Sequence, residues 1–256
     1  MDPATLIGIV LAFVSLLVFM ILEGADPMGL LFLPAIILVV GGSFGAAIAG
    51  SSMADLKKIP GWFKLALVPA KLPPITDRIQ TLVSLAEKAR KEGLLALEAE
   101  VKTIDDPFLK RGLQMSIDGT DPEDLRGIME GEIAAKKAED KVAAKFFNAM
   151  GGYGPTIGII GCVVGLINVM GNLTDPASLG PMIAAAFIAT LWGVMAANFL
   201  FLPMGARIAR GSEMHAAQME LLVEGIAEIQ AGTSPRTVRQ KLTSLVPPGE
   251  QQREAA

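Results

Sequence analysis

The sequence predicts an all-α polytopic membrane protein, with four transmembrane helices and a helical cytoplasmic domain between the second and third. Two observations carry this. All 22 Lys and Arg residues fall in two blocks, Lys57 to Lys145 and Arg207 to Arg253, while the long apolar stretches before and between the blocks hold none. Hydrophobic residues make up 52% of the 256 and mean hydropathy is +0.49, which exceeds the apolar share of a soluble domain even before glycine is counted.

The first span runs from about Ala4 to Leu22, long enough to cross a hydrocarbon core. Asp2 and Pro3 supply its N-cap and first-turn proline. With no basic segment before it and a second apolar stretch close behind, it reads as a permanent span and not a signal peptide. The second span is expected from Met28 to Gly50, the third from Gly154 to Met170 and the fourth from Pro181 to Met204. The connectors Glu23 to Pro27 and Gly171 to Gly180 are acidic, whereas Lys57, Lys58 and Lys64 follow span two and Arg207 and Arg210 follow span four. Positive charge stays inside, so both termini are expected in the cytoplasm. The expected units are 1–50, a hairpin; 51–152, the cytoplasmic helical domain; 153–205, a second hairpin; and 206–256, a helix and polar tail.

In the insert, Asp106 before Pro107 and Asp121 before Pro122 are N-cap pairs. Leu125, Ile128, Met129 and Ile133 then recur at helical spacing toward span three, predicting a helix that continues into the membrane with a bend near Gly151 and Gly152. Met219, Leu222, Val223, Ile226 and Ile229 form a stripe expected to pack on the insert, closed by Gly232. The tail from Pro247 is polar and is expected to be disordered.

What the spans lack is as informative. None contains Asp, Glu, Lys, Arg or His, and an ion relay across a bilayer normally uses such a group at mid-membrane. Either the chain transports nothing or a partner supplies the titrating group. Gly41 and Gly45, then Gly154, Gly158, Cys162 and Gly165, then Ala185, Ala189, Gly193 and Ala197 form rows of small residues that let helices approach closely. They fit packing within one chain or a ring of subunits equally well. Of the polar residues at depth, Thr156, Asn168, Thr190 and Asn198, the two asparagines read as internally satisfied, and Thr190 lies where it could meet a hydrated path or a partner helix. Pro155 and Pro203 mark the cytoplasmic ends of spans three and four, as helix punctuation or bends. The net charge of −4 gives no nucleic-acid footprint. The lone Cys162 and the lone His215, the latter expected at the surface, argue against a metal or cofactor site, and no catalytic constellation predicts an enzyme.

Two hairpins around an insert, with Gly151-Gly152-Tyr153-Gly154-Pro155-Thr156-Ile157-Gly158 opening span three and Phe201-Leu202-Pro203-Met204 closing span four, resemble the A subunit of the bacterial flagellar stator, the MotA/PomA family. Arg90-Lys91-Glu92-Gly93 with Leu97-Glu98 is similar to that family's rotor-facing segment, and Ile128-Met129-Glu130-Gly131-Glu132-Ile133 to its later acidic segment. The resemblance implies a homopentamer in the bacterial inner membrane around a single-span, peptidoglycan-binding, MotB-like B subunit whose aspartate binds the ion. Ion flow would turn the ring and push the rotor protein FliG. It implies rotor contact at Arg90 and Glu98, which alone read as solvated helix charges. It implies coupling at Pro155 and Pro203, and an ion path near Cys162 and Thr190. Sodium-driven relatives often carry threonine where Cys162 stands, and a thiol is a poor ligand for a hard cation, so protons are expected. An ExbB/TolQ-like energiser usually has three spans and an outside N-terminus, against which the extra hairpin at the start of this chain argues; a non-transporting scaffold would suit the absence of intramembrane charge.

Overall fold

The computed structural model describes residues 3–68 and 72–247, and those residues are helical without a strand. The N-cap expected of Asp2 and nearly all of the tail lie outside them. In order, the helices are α1 (Pro3–Leu22), α2 (Leu33–Ala49), α3 (Met53–Leu56), α4 (Ile59–Leu67), α5 (Ile75–Glu92), α6 (Glu98–Thr103), α7 (Pro107–Ile117), α8 (Pro122–Gly171), α9 (Pro176–Gln230) and α10 (Pro235–Ser244). Short 3₁₀ turns occupy Pro27–Leu30 and Leu94–Leu97. Two helices contain π turns, Ile37–Gly41 in α2 and Ala196–Phe201 in α9.

Three helices hold stretches long and apolar enough to cross a membrane, and α2 is a shorter apolar helix. This corrects the expected start of the second apolar element. The chain is not one helix from Met28, because Asp26 caps the separate turn Pro27–Leu30 through the Met28 N–H and the helix restarts at Leu33 with Pro34 in its first turn. Along α1, Ile7, Leu11 and Ile21 are more than 60% exposed. Such a surface belongs against lipid or protein, since in water it would forfeit about 25 cal/mol for each square ångström left wet.

The described residues form two compact units, 3–68 with 140–211, and 72–139 with 212–247. In the first, Phe44, Trp62, Phe63, Phe146 and Phe147 join in edge-on and tilted contacts with centroids 5.0 to 6.4 Å apart, seating the amphipathic α4 on α2 and α8. Trp192 donates its indole N–H to the Leu30 carbonyl at 2.7 Å and so ties the 3₁₀ turn to α9. Phe13 of α1 meets Phe199 edge-on.

The second unit is built as its apolar periodicity predicts. Met219, Leu222, Val223, Ile226 and Ile229 are all buried with Leu82, Leu97, Leu113 and Leu125, so the α9 stripe packs on the insert. Gly112 and Gly225 permit this closeness, because a methyl group on either would overlap Ile226 and Met129 or Leu82. Asp106 accepts from the Phe108 and Leu109 N–H groups and pairs with Arg78 at 2.8 Å, fixing the start of α7 against α5. Asp121 accepts from the Glu123 N–H at the start of α8. From there α8 runs as one helix through Gly151 and Gly152 to Gly171, as the continuous apolar spacing predicts. Gly232, at φ +67°, follows the end of α9. His215 is half-buried and not exposed.

Candidate functional site

In the first unit, α8 and α9 meet along a seam of small residues. A β-carbon added to Gly158 would lie 2.8 Å from the Ala189 carbonyl and 3.1 Å from the Gly193 α-carbon; on Gly193 it would lie 2.6 Å from the Gly154 carbonyl. Gly165 faces Ala186 and Gly154 faces Ala197 in the same way. The row of small residues is therefore used within one chain. Of the rows read in the sequence, Gly41 and Gly45 on α2 meet nothing within 4 Å, and two positions of the other rows differ. Gly161, against Ala189 and Leu38, and the buried Ala186 occupy the seam, each one residue from the half-buried Cys162 and Ala185.

Thr190 sits at the edge of this seam. Its hydroxyl donates to the Gly158 carbonyl at 3.5 Å, the outer limit of a hydrogen bond, and the residue is half-buried. Thr156 and Asn198 instead donate to carbonyls of their own helix, Tyr153 and Val194, both at 2.8 Å. Asn168 accepts from Asn172 through its backbone and side-chain oxygens. Ser43 on α2 is fully buried, and its hydroxyl has no partner.

Pro155 and Pro203 lie inside continuous helical runs, so neither begins a helix. A proline donates no hydrogen bond to the carbonyl four residues back, which weakens the ladder locally. Pro155 is built into the seam, with its α-carbon 3.2 Å from where a Gly193 β-carbon would lie. Pro203 stands two residues past the π turn, at whose end the Leu202 N–H reaches back five residues to the Ala197 carbonyl. It lines a hollow of about 430 Å³ with Thr5, Ile9, Asn198 and Phe199. Next to it, Arg207 donates to the Thr5 hydroxyl. The π turn escaped the sequence reading. A second hollow of about 530 Å³, between α2, α8 and α9, is apolar apart from Asn168.

In the second unit, α5 ends at Gly93, whose φ of +86° turns the chain into the 3₁₀ turn and α6. Arg90 lies in the last turn of α5 and Glu98 in the first of α6, the ends at which the helix dipoles favour those charges. Both are exposed, and neither enters an ion pair among the described residues. Their neighbours are engaged. Lys91 pairs with Glu87 at 2.6 Å and Lys88 with Glu100 at 2.8 Å. The hydrogen bond from Lys91 lowers the Glu87 pKa, and that to Glu100 raises the pKa of Lys88. The later acidic segment is also spoken for internally, Glu132 by Arg111 at 2.5 Å and Glu130 by Arg126 at 3.8 Å. Arg126 pairs in turn with Glu224 at 2.7 Å.

A close-packed seam of helices beside apolar surfaces that belong against lipid or protein is the build of a helical membrane protein. Residues 100–221 match the MotA/TolQ/ExbB proton channel family. Motility protein A of Bacillus subtilis is 36% identical over 247 residues, covering 96% of this chain and 92% of that protein. The structure of the flagellar MotAB stator complex from Bacillus subtilis matches with a TM-score of 0.91 at 35% identity over 99% of this chain and 100% of that one. The Campylobacter jejuni MotAB structure matches with a TM-score of 0.93 at 29% identity, covering 97% of each chain. The chain belongs to the motility protein A family.

Proposed function

We propose that this chain is the A subunit of a flagellar stator, a proton-channel wall that converts proton flow into torque on the rotor. The observation that carries the reading is the absence of any Asp, Glu, Lys, Arg or His from 3–22, 27–54, 146–174 and 176–206, in a chain of a proton channel family. A proton cannot be held at mid-membrane by these helices, so a single-span B subunit supplies the carboxylate. The α8–α9 seam keeps the wall closed, and Thr190 and Cys162 border the path. The MotAB pairing of the similar structures supports the partner.

Four spans fit this role. The helix Leu33–Ala49 reaches about 25 Å at 1.5 Å per residue, and the turn held to α9 by Trp192 extends it toward the roughly 30 Å of a hydrocarbon core. With Lys57, Lys58, Lys64, Arg207 and Arg210 inside, both termini and the second unit are cytoplasmic. Five copies form the ring around the B subunits. Pro155 and Pro203 give two helices places to yield when the partner's carboxylate changes charge. Arg90 and Glu98, in no ion pair among the described residues, then press on the rotor protein FliG.

The test is proton flux in inverted vesicles. The chain alone is expected to conduct nothing, co-expression with its B subunit to open a conductance, and an Asp→Asn change in the partner's span to abolish it. Conduction by the chain alone would sink the reading.

A further inference from the structure

Leu95 is 72% exposed, more than any other large apolar side chain described in the second unit, where Ile128, Met214 and Leu245 follow at 54, 47 and 55%. Its exposure is built in by the turn. Leu94–Leu97 is a 3₁₀ turn with about three residues per turn, so Leu94 and Leu97 share a side. Leu97 is fully buried and Leu94 packs on the same core, which leaves Leu95 outside. In the sequence it stands between Arg90 and Glu98, which have no ion pair among the described residues, while Lys88, Lys91, Glu87 and Glu100 nearby are neutralised internally. The turn thus offers one apolar side chain in a stretch of chain that also carries Arg90, Glu92 and Glu98, none of them in an ion pair among the described residues.

We propose that Leu95 is the apolar anchor of the rotor contact, seated in a hollow of the partner protein that carries a carboxylate opposite Arg90 and a cation opposite Glu98. The inference rests on the reading of this turn as the rotor-facing surface. Charges alone make a poor grip, because exposed ion pairs are screened by salt and contribute little. They steer the approach and set the register, whereas a leucine leaving water strengthens association about tenfold or more. Interfaces commonly concentrate their hold in such a central side chain inside a polar rim.

The experiment measures torque per stator at high load by bead rotation in cells carrying the full A–B complex, with proton conductance of the same complex as the assembly readout. Leu95→Ser is expected to lower torque several-fold with conductance unchanged, and Leu95→Met to restore most of it. Normal torque in Leu95→Ser beside impaired Arg90→Glu would overturn the anchor and leave the rotor-contact reading standing. Normal torque in Leu95→Ser, Arg90→Glu and Glu98→Lys alike would overturn both. Loss of conductance with torque in Leu95→Ser would make the residue structural and also overturn the anchor.

Discussion

Gly158 and Gly152 lie on the same helix and look alike in sequence, yet a methyl group meets different surroundings at each. At Gly158 it would press on the Ala189 carbonyl and the Gly193 and Thr190 α-carbons, all backbone atoms that cannot rotate away; at Gly152 nothing lies within 4 Å. Gly158→Ala is therefore expected to destabilise the solubilised chain by about 1–3 kcal/mol, the usual cost of overpacking, and Gly152→Ala to leave it unchanged. Thermal unfolding in detergent checks both. Equal melting temperatures would mean that the seam is looser than the geometry requires. The sequence displayed the small residues but not their partners. Spacing by four and three marks a helix face and cannot say whether its neighbour is the same chain or another, which is why Cys162 and Gly161 could be confused by one position. Leu95 was illegible for a related reason: in a run of Leu94, Leu95, Ala96 and Leu97, periodicity alone does not reveal a 3₁₀ turn.

Among the elements, α10 shows how charge and core cooperate to hold a short terminal helix. Ser234 caps it by accepting from the Thr237 N–H, while Val238 and Leu242 are fully buried. Lys241 donates to Glu228 of α9 at 2.5 Å, and Arg239 donates to Gln80 at 2.6 Å. Burial pushes the Glu228 pKa up, but the hydrogen bonds from Lys241 and Thr233 and the charges of Lys241 and Arg126 outweigh it and hold the carboxyl below its usual value. The same hydrogen bond raises the pKa of Lys241. A lowered carboxyl contributes stability above its unfolded value and loses it as pH falls through the folded one. A raised ammonium contributes below its unfolded value and loses it as pH rises through the folded one. The pair is thus fully formed between about 4.3 and 10.4, the ordinary glutamate and lysine values. Hydrogen exchange of the α10 amides is expected to show a protected plateau there, released first on the acid side below the glutamate range, and Glu228→Gln should remove that acid step. Wild-type protection flat into strong acid would argue that the apolar contacts alone hold the helix.

At the scale of the whole molecule, charge placement made the division between membrane and water legible, because basic residues are confined to two blocks. The N-caps Asp106 and Asp121 and the α9 stripe were legible because each depends on local spacing. The π turns were not, since i→i+5 hydrogen bonding is rare and leaves no spacing pattern in these apolar runs. The sharing of one core by 72–139 and 212–247 across an intervening hairpin was legible through that α9 stripe, whereas the part that Val238 and Leu242 play in it was not. Leu82, Leu97, Leu113 and Leu125 are covered by Leu222, Ile226 and Ile229, and Val238 and Leu242 complete the same core, so the insert lacks its lid until the end of the chain is made. A chain stopped after Gly211 is accordingly expected to leave the insert open to protease while its apolar helices still enter the membrane, because those helices need only their own hydrophobicity to insert. Limited proteolysis of membranes carrying the truncated and full-length chains checks this. An insert equally resistant in both would show that 72–139 folds without its second half, and the shared core would then be a late reinforcement and not a condition of folding.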